Sequence, residues 1–161
     1  MTGIVGVLLA AGSARRFGAQ KLLAALPDGE PVGLRAARNL LAAVPDVLAV
    51  VRPGDQALTR VLADTGLRIA VNERSASGIG NSIAAGVSAS DDADGWLIAL
   101  ADRPWIGTDT IRAVAEALLG GAALAAPMYE GRRGHPVGFS SCWQQRLLSL
   151  TGDAGARSLI Q

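Results

Sequence analysis

The chain reads as an α/β protein: a mostly parallel sheet with helices on both faces, a Rossmann-like three-layer αβα sandwich. Three observations predict this class. Short apolar runs alternate with amphipathic segments along the 161 residues. The runs are apolar throughout, as strands buried on both faces are. Polar, glycine-bearing loops follow several runs directly, as at the ligand-binding carboxyl edge of such a sheet.

The strand candidates are residues 4–9, 47–51, 67–71, 96–100 and 124–127. Residues 32–43, 55–64, 79–89 and 108–119 carry helical spacing and good helix formers. Thr108 is the expected N-cap of the last helix, with Ile111 and Val114 opening its apolar face. Right-handed crossovers gather the strand ends, and so the loops 10–21, 72–82 and 101–104, along one edge. No repeat, low-complexity segment or linker divides the sequence.

Half of the residues are hydrophobic but only 4% are aromatic, so the core is mainly Leu, Val, Ile and Ala. A net charge of +1 without a basic run gives no electrostatic case for nucleic acid or an anionic membrane as partner. The single cysteine, Cys142, excludes an intrachain disulfide and a cysteine-clustered zinc site. It reads as an inert packed thiol. The start shows no basic leader with a cleavage site, and no charge-free apolar stretch approaches about 18 residues. A soluble cytoplasmic protein is the expectation.

The strongest chemical signal is residues 9–21, Leu-Ala-Ala-Gly-Ser-Ala-Arg-Arg-Phe-Gly-Ala-Gln-Lys. Small residues after the first strand let backbone N–H groups approach an anion, and Gly12 and Gly18 tolerate positive φ. Arg16 and Lys21 supply fixed cations for a polyphosphate. The plainer alternative is a glycine-rich turn with solvated charges. A Walker loop needs four residues between its glycines and a lysine directly after the second. Here five residues separate Gly12 from Gly18, and Lys21 follows three later. No Gly-x-Gly-x-x-Gly of a dinucleotide site is present either.

Three further constellations stand out. Residues 72–82, with Gly86 beyond, run from a polar loop into a helix, whose free N–H groups and hydroxyls suit a base edge or a phosphate, or simply cap the helix. In Leu100-Ala101-Asp102-Arg103-Pro104 a carboxylate ends a buried strand, placed either to hold Mg²⁺ or to cap the turn before Pro104. The run Arg132-Arg133-Gly134-His135-Pro136-Val137 holds the only histidine, which by itself reads as a structural residue beside a solvated basic turn.

Residues 9–21 resemble the Leu-Ala-Ala-Gly-x-x-x-Arg-x-Gly-x-x-Lys signature of the nucleotidyltransferases that activate sugars, isoprenoid precursors and molybdopterin. A serine common at the position of Ala14 stands one residue earlier, at Ser13. Asn72, Gly78, Ser82 and Gly86 match the molybdopterin-related branch, with Ile79 in place of its methionine. Residues 100–104 resemble Leu-x-Asp-Gln-Pro, Arg103 standing for the glutamine. Arg133 to Val137, followed by Gly152-Asp153-Ala154-Gly155-Ala156-Arg157, are similar to the molybdenum cofactor cytidylyltransferase branch specifically.

The resemblance spans residues 4 to 160 and implies the nucleotide-diphospho-sugar transferase fold. It implies that Leu9, Ala10, Ala11, Gly12 and Gly18 wrap a nucleoside triphosphate whose phosphates Arg16 and Lys21 neutralise. Asn72, Gly78 and Ser82 then serve the nucleotide site, Gly78 and Ser82 at the base, and Asp102 binds Mg²⁺. Arg133 and His135 lie on the acceptor side. Residues 1–161 form one domain, with 1–105 the nucleotide-binding part and 106–161 the acceptor-binding part. The implied reaction moves CMP from CTP to molybdopterin and releases pyrophosphate. A molybdoenzyme apoprotein or a maturation factor is an implied protein partner. In the family a second metal-binding aspartate sits in a later Asp-x-Asp-Thr-Pro-like segment; the sequence reaches Gln161 before it, so the implied fold is C-terminally short and Asp153 is the nearby candidate. Use of GTP, another phosphorylated acceptor, or a non-catalytic nucleotide-binding or delivery role stay open as alternatives.

Overall fold

Val5, Val7 and Leu9 face one side of the first strand and Ile4 and Leu8 the other, and both sets are buried. That strand, β1 (Ile4–Leu9), therefore lies inside the sheet. It pairs in parallel with β2 (Asp46–Val51) on one side and β4 (Gly95–Leu100) on the other, and β2 pairs in parallel with β3 (Arg68–Val71). The computed structural model describes residues 3–12, 18–75, 78–153 and 155–160.

The full order is β3-β2-β1-β4-β8-β5, where β8 (Val137–Ser140) runs antiparallel to β4 and to the short β5 (Leu124–Ala125). A separate hairpin joins β6 (Met128–Tyr129) to β7 (Arg132–Arg133). Its turn, Glu130-Gly131, has positive φ at both residues, as a two-residue hairpin loop requires.

One face of the sheet packs Leu8, Leu97 and Ala49 under α2 (Val32–Ala43), α3 (Gln56–Ala63) and α5 (Thr108–Leu119), through Leu40, Leu58, Leu62, Ile111 and Leu118. The other packs Val7, Trp96 and Phe139 under α4 (Ile79–Ser88) and α6 (Gln144–Leu148), through Ile83, Val87 and Leu147. Helix α1 (Gly18–Leu23) lies against α2, with Leu22 and Leu23 joining the first of these cores. Gly86 lets α4 approach β1, because a Cβ there would lie 2.5 Å from Val7 Cγ1. The matched Gly86 thus serves packing.

The expected architecture is present, with four corrections. Residues 67–71 and 124–127 are not buried on both faces: β3 and β5 are the edge strands, so Arg68 and Leu124 are exposed and Val71 half-exposed, and β5 keeps only Leu124–Ala125 of its expected span. Thr108 is not the N-cap: Gly107 takes that place without a side-chain cap bond. The Thr108 hydroxyl instead donates to Asn39 O at 3.4 Å, tying α5 to α2. Cys142 is exposed rather than packed, its Sγ 2.9 Å from Ser140 Oγ. Finally, β8 and α6 have no counterpart among the expected elements.

Candidate active site

The parallel register brings the carboxyl ends of β1 and β4 side by side. Ala10 N donates to Val50 O at 2.9 Å and Ala101 N to Leu9 O at 3.1 Å, so both chains leave the sheet still held to it. The three loops singled out in the sequence all leave this edge. Among the described residues, Leu9, Ala10, Ala11, Gly12, Lys21, Gly78, Ser82 and Asp102 line a cavity of about 320 Å³ at this edge. Arg16 lies outside the described residues. Gly18 opens α1, which carries Lys21 to the cavity wall. Gly12 does not adopt positive φ, and among the described residues no atom comes within 4 Å of where its Cβ would stand.

Across this opening Lys21 Nζ stands 3.9 Å from Asp102 Oδ2, and Arg103 Nε stands 3.8 Å from Asp102 Oδ1. These side chains are about half exposed, so the pairs are worth no more than about 1 kcal/mol and can yield to a ligand. Among the described residues no group of three or more His, Cys, Asp or Glu is gathered for a metal. The donor set at Asp102 still fits a hard divalent cation, which is commonly held by one or two carboxylates plus substrate phosphates and water.

Asn72 plays a part that spacing does not show. Its backbone N–H donates to Val51 O at 2.9 Å, and its buried amide donates to Ser82 Oγ at 3.0 Å while accepting from Arg74 N at 3.0 Å. It fixes the loop onto the first turn of α4 and meets the cavity through Ser82. Gly78, at φ +113°, must be glycine twice over: the backbone disfavours a side chain, and a Cβ would collide with Gly152 and the Asp153 carboxylate. Gly80 N donates to Gly152 O at 2.8 Å, so the turn at Gly152 and Asp153 sits against the N-terminus of α4.

A second cavity, of about 630 Å³, adjoins the first. Arg132, Arg133, His135 and Arg157 face it beside apolar walls that include Ile83, Ile98, Val137 and Ile160. A cis peptide joins His135 to Pro136. Burial pushes the His135 imidazole below its usual 6.5; the Arg103 and Arg133 charges push the same way, and Asp102 opposes them. The ring is therefore neutral at pH 7 and able both to donate and to accept a hydrogen bond.

The structure thus gathers Leu9 to Gly12, Lys21, Gly78, Ser82 and Asp102 at one cavity and sets Arg133 and His135 at the next. Sequence reasoning missed Arg52 and Ser75, which line the first cavity, and Arg157 in the second. Arg52 directly follows β2, and its position at a strand end is the signal that marks it. Among the described residues no helix is long and apolar enough to cross a membrane.

Comparison with known proteins identifies the family. The Bacillus subtilis (strain 168) purine catabolism protein PucB is 32% identical over 98% of this chain and 80% of its own length. Nicotine blue oxidoreductase of Paenarthrobacter nicotinovorans is 29% identical over 98% of this chain and 81% of that protein. Rv0371c of Mycobacterium tuberculosis H37Rv, solved in complex with manganese, superposes with a TM-score of 0.82 at 24% identity, covering 98% of this chain and 82% of its own. Residues 6–161 match the MobA-like NTP transferase domain model, and the chain belongs to that family of nucleotidyltransferases.

Proposed function

We propose that this enzyme transfers CMP from CTP to a molybdopterin-type acceptor and releases pyrophosphate, with Mg²⁺ or a similar divalent cation at Asp102. The observation that carries the reading is the pairing of two unlike cavities at one sheet edge. The first has small residues, Lys21 and Asp102, as a triphosphate requires; the second has three arginines and a histidine against apolar walls. A flat ring system with a terminal phosphate suits the second, since a sugar would leave its hydroxyls against aliphatic side chains.

In this reading residues 1–105 hold the nucleotide and 106–161 the acceptor. An oxygen of the acceptor phosphate attacks the α-phosphorus. The bond from that phosphorus to the bridging oxygen breaks, and its electron pair leaves with pyrophosphate. Lys21 faces the charge that grows on the α-phosphate, and Arg16 with the Gly12 backbone holds the leaving group. The acceptor phosphate is largely ionised near pH 7, its second pKa being about 6, so no general base is needed. Arg133 and neutral His135 orient it. Ser82 and Gly78 meet the base. A bound divalent cation would supply charge neutralisation at the phosphates, and the manganese complex of the structural relative supports such an ion here.

Pyrophosphate release measured with CTP, GTP, ATP and UTP, each with Mg²⁺ and molybdopterin, tests the reading. Turnover with CTP well above the others is expected. Preference for GTP would replace cytidylyl by guanylyl transfer, and no release with any nucleotide would overturn the assignment.

A further inference from the structure

We infer that Arg52 selects the base of the bound nucleotide, its guanidinium pairing with two adjacent acceptor atoms of the base; this rests on the nucleotidyl-transfer reading above. Ala10 N donates to Val50 O and Asn72 N to Val51 O, both at 2.9 Å. The end of β2 is thereby held on both sides, and Arg52 leaves it between the loop after β1 and the loop that leads to Ser82. In the sheet, β2 lies on the opposite side of β1 from β4. Arg52 therefore reaches the first cavity from the side of Ser75, Gly78 and Ser82, across from Asp102 and the neighbouring Lys21.

Among the described residues Arg52 is the only arginine lining this cavity, and its partly buried guanidinium makes no hydrogen bond or ion pair with another described residue. The nearest acid in sequence, Asp55, borders an outer groove together with Arg52 but does not take the guanidinium: its buried Oδ2 has no hydrogen-bond partner among the described residues. A guanidinium is a rigid fork of N–H donors without an acceptor, so it matches a ligand edge on which two acceptors stand side by side. Cytosine offers N3 beside O2, and guanine offers N7 beside O6. Adenine sets its amino group beside N1 and N7, and uracil sets N3–H between O2 and O4. Each of those two turns a donor toward the fork and leaves N–H groups unpaired, which is how a polar site rejects the wrong ligand.

The test is calorimetric binding of CTP, UTP, GTP and ATP to the full chain with Mg²⁺, alongside 3-deaza-CTP and 7-deaza-GTP, each of which lacks one acceptor of its pair. Wild-type protein is expected to bind CTP roughly 5–150-fold more tightly than UTP or 3-deaza-CTP, the range for one bidentate base contact. Arg52→Gln should bring those three ligands within a few-fold of one another. Arg52→Lys keeps the charge but not the fork, and should restore little of the preference. Tighter binding of GTP, lost with 7-deaza-GTP and in Arg52→Gln, would keep Arg52 in this role with guanine as the base. An equal loss for every nucleotide in Arg52→Gln would place the side chain at the phosphates or the ribose and overturn the inference. Wild-type preference for UTP or ATP, or indifference to the deaza substitutions, would overturn it as well. If wild-type protein binds no nucleotide, the underlying functional reading fails; if it selects CTP and Arg52→Gln selects CTP equally well, the inference about Arg52 alone fails.

Discussion

The Asn72 amide donates to the Ser82 hydroxyl at 3.0 Å, both side chains buried where the β3–α4 loop meets its helix. The bond uses Ser82 Oγ as an acceptor and leaves its proton for a ligand at the cavity. Ser82→Ala removes a base contact and also orphans a buried N–H, which costs about 1–3 kcal/mol. We expect a narrowed CTP-to-GTP ratio of kcat/KM, because a site built to bond one base loses its edge when that group goes. Equal losses for the two nucleotides would assign Ser82 to the loop alone.

Lys21→Ala should lower kcat by about 10²–10³, as loss of a group aimed at transition-state charge does. Stability should move by less than about 1 kcal/mol, since the pair with Asp102 is long and half exposed. Steady-state kinetics alongside denaturant titration separate the two. Turnover within a few-fold of wild type would make Lys21 a surface charge.

Asp102→Asn keeps size and one acceptor oxygen but removes the charge that draws a cation. Metal-dependent turnover should vanish while CTP still binds in the presence of a chelator. Retention of wild-type rate and metal dependence would put the metal elsewhere.

His135 gives a pH signature with a definite sign. Its folded pKa lies below 6.5, so the unfolded chain binds the proton more readily. The stabilisation from keeping the ring neutral is complete above about pH 6.5 and is lost as pH falls through the folded value. His135→Gln should flatten that acid-side loss in denaturation midpoints taken from about pH 7.5 down to about pH 5. Parallel curves for the two proteins would count against it.

Gly86→Ala should cost about 1–3 kcal/mol of stability by overpacking α4 on β1, where Val7 and Val50 leave no room for a methyl group. Chemical denaturation is the measurement. Specific activity of the folded fraction should be unchanged, because Gly86 does not line either cavity.

The strands β1 and β4 were legible because an inner parallel strand is apolar on both faces, and the loops after them follow from topology. Residues 67–71 show the limit of that signal. Their apolar run is genuine, yet edge position is decided by which strands pair, and among the described residues no strand pairs beyond β3. Val137 to Ser140 was missed because Pro136 and Gly138 weaken a strand pattern that pairing with β4 supplies. The loop 9–21, Gly78 and Asp102 announced themselves by residue type and spacing. Arg52 did not, because a lone Arg-Pro-Gly reads as a turn. The bond from Asn72 to Ser82 joins side chains ten residues apart and needed the fold to be seen.

The hydrogen bond from Gly80 to Gly152 has a thermodynamic meaning as well. It ties together the backbone next to Ile79 and Asp153, two residues that line both cavities. Under the proposed function, a ligand in one cavity that orders this turn would lower the ordering cost for a ligand in the other, and that coupling would be reciprocal. Whatever factor the acceptor adds to nucleotide affinity, the nucleotide adds to acceptor affinity.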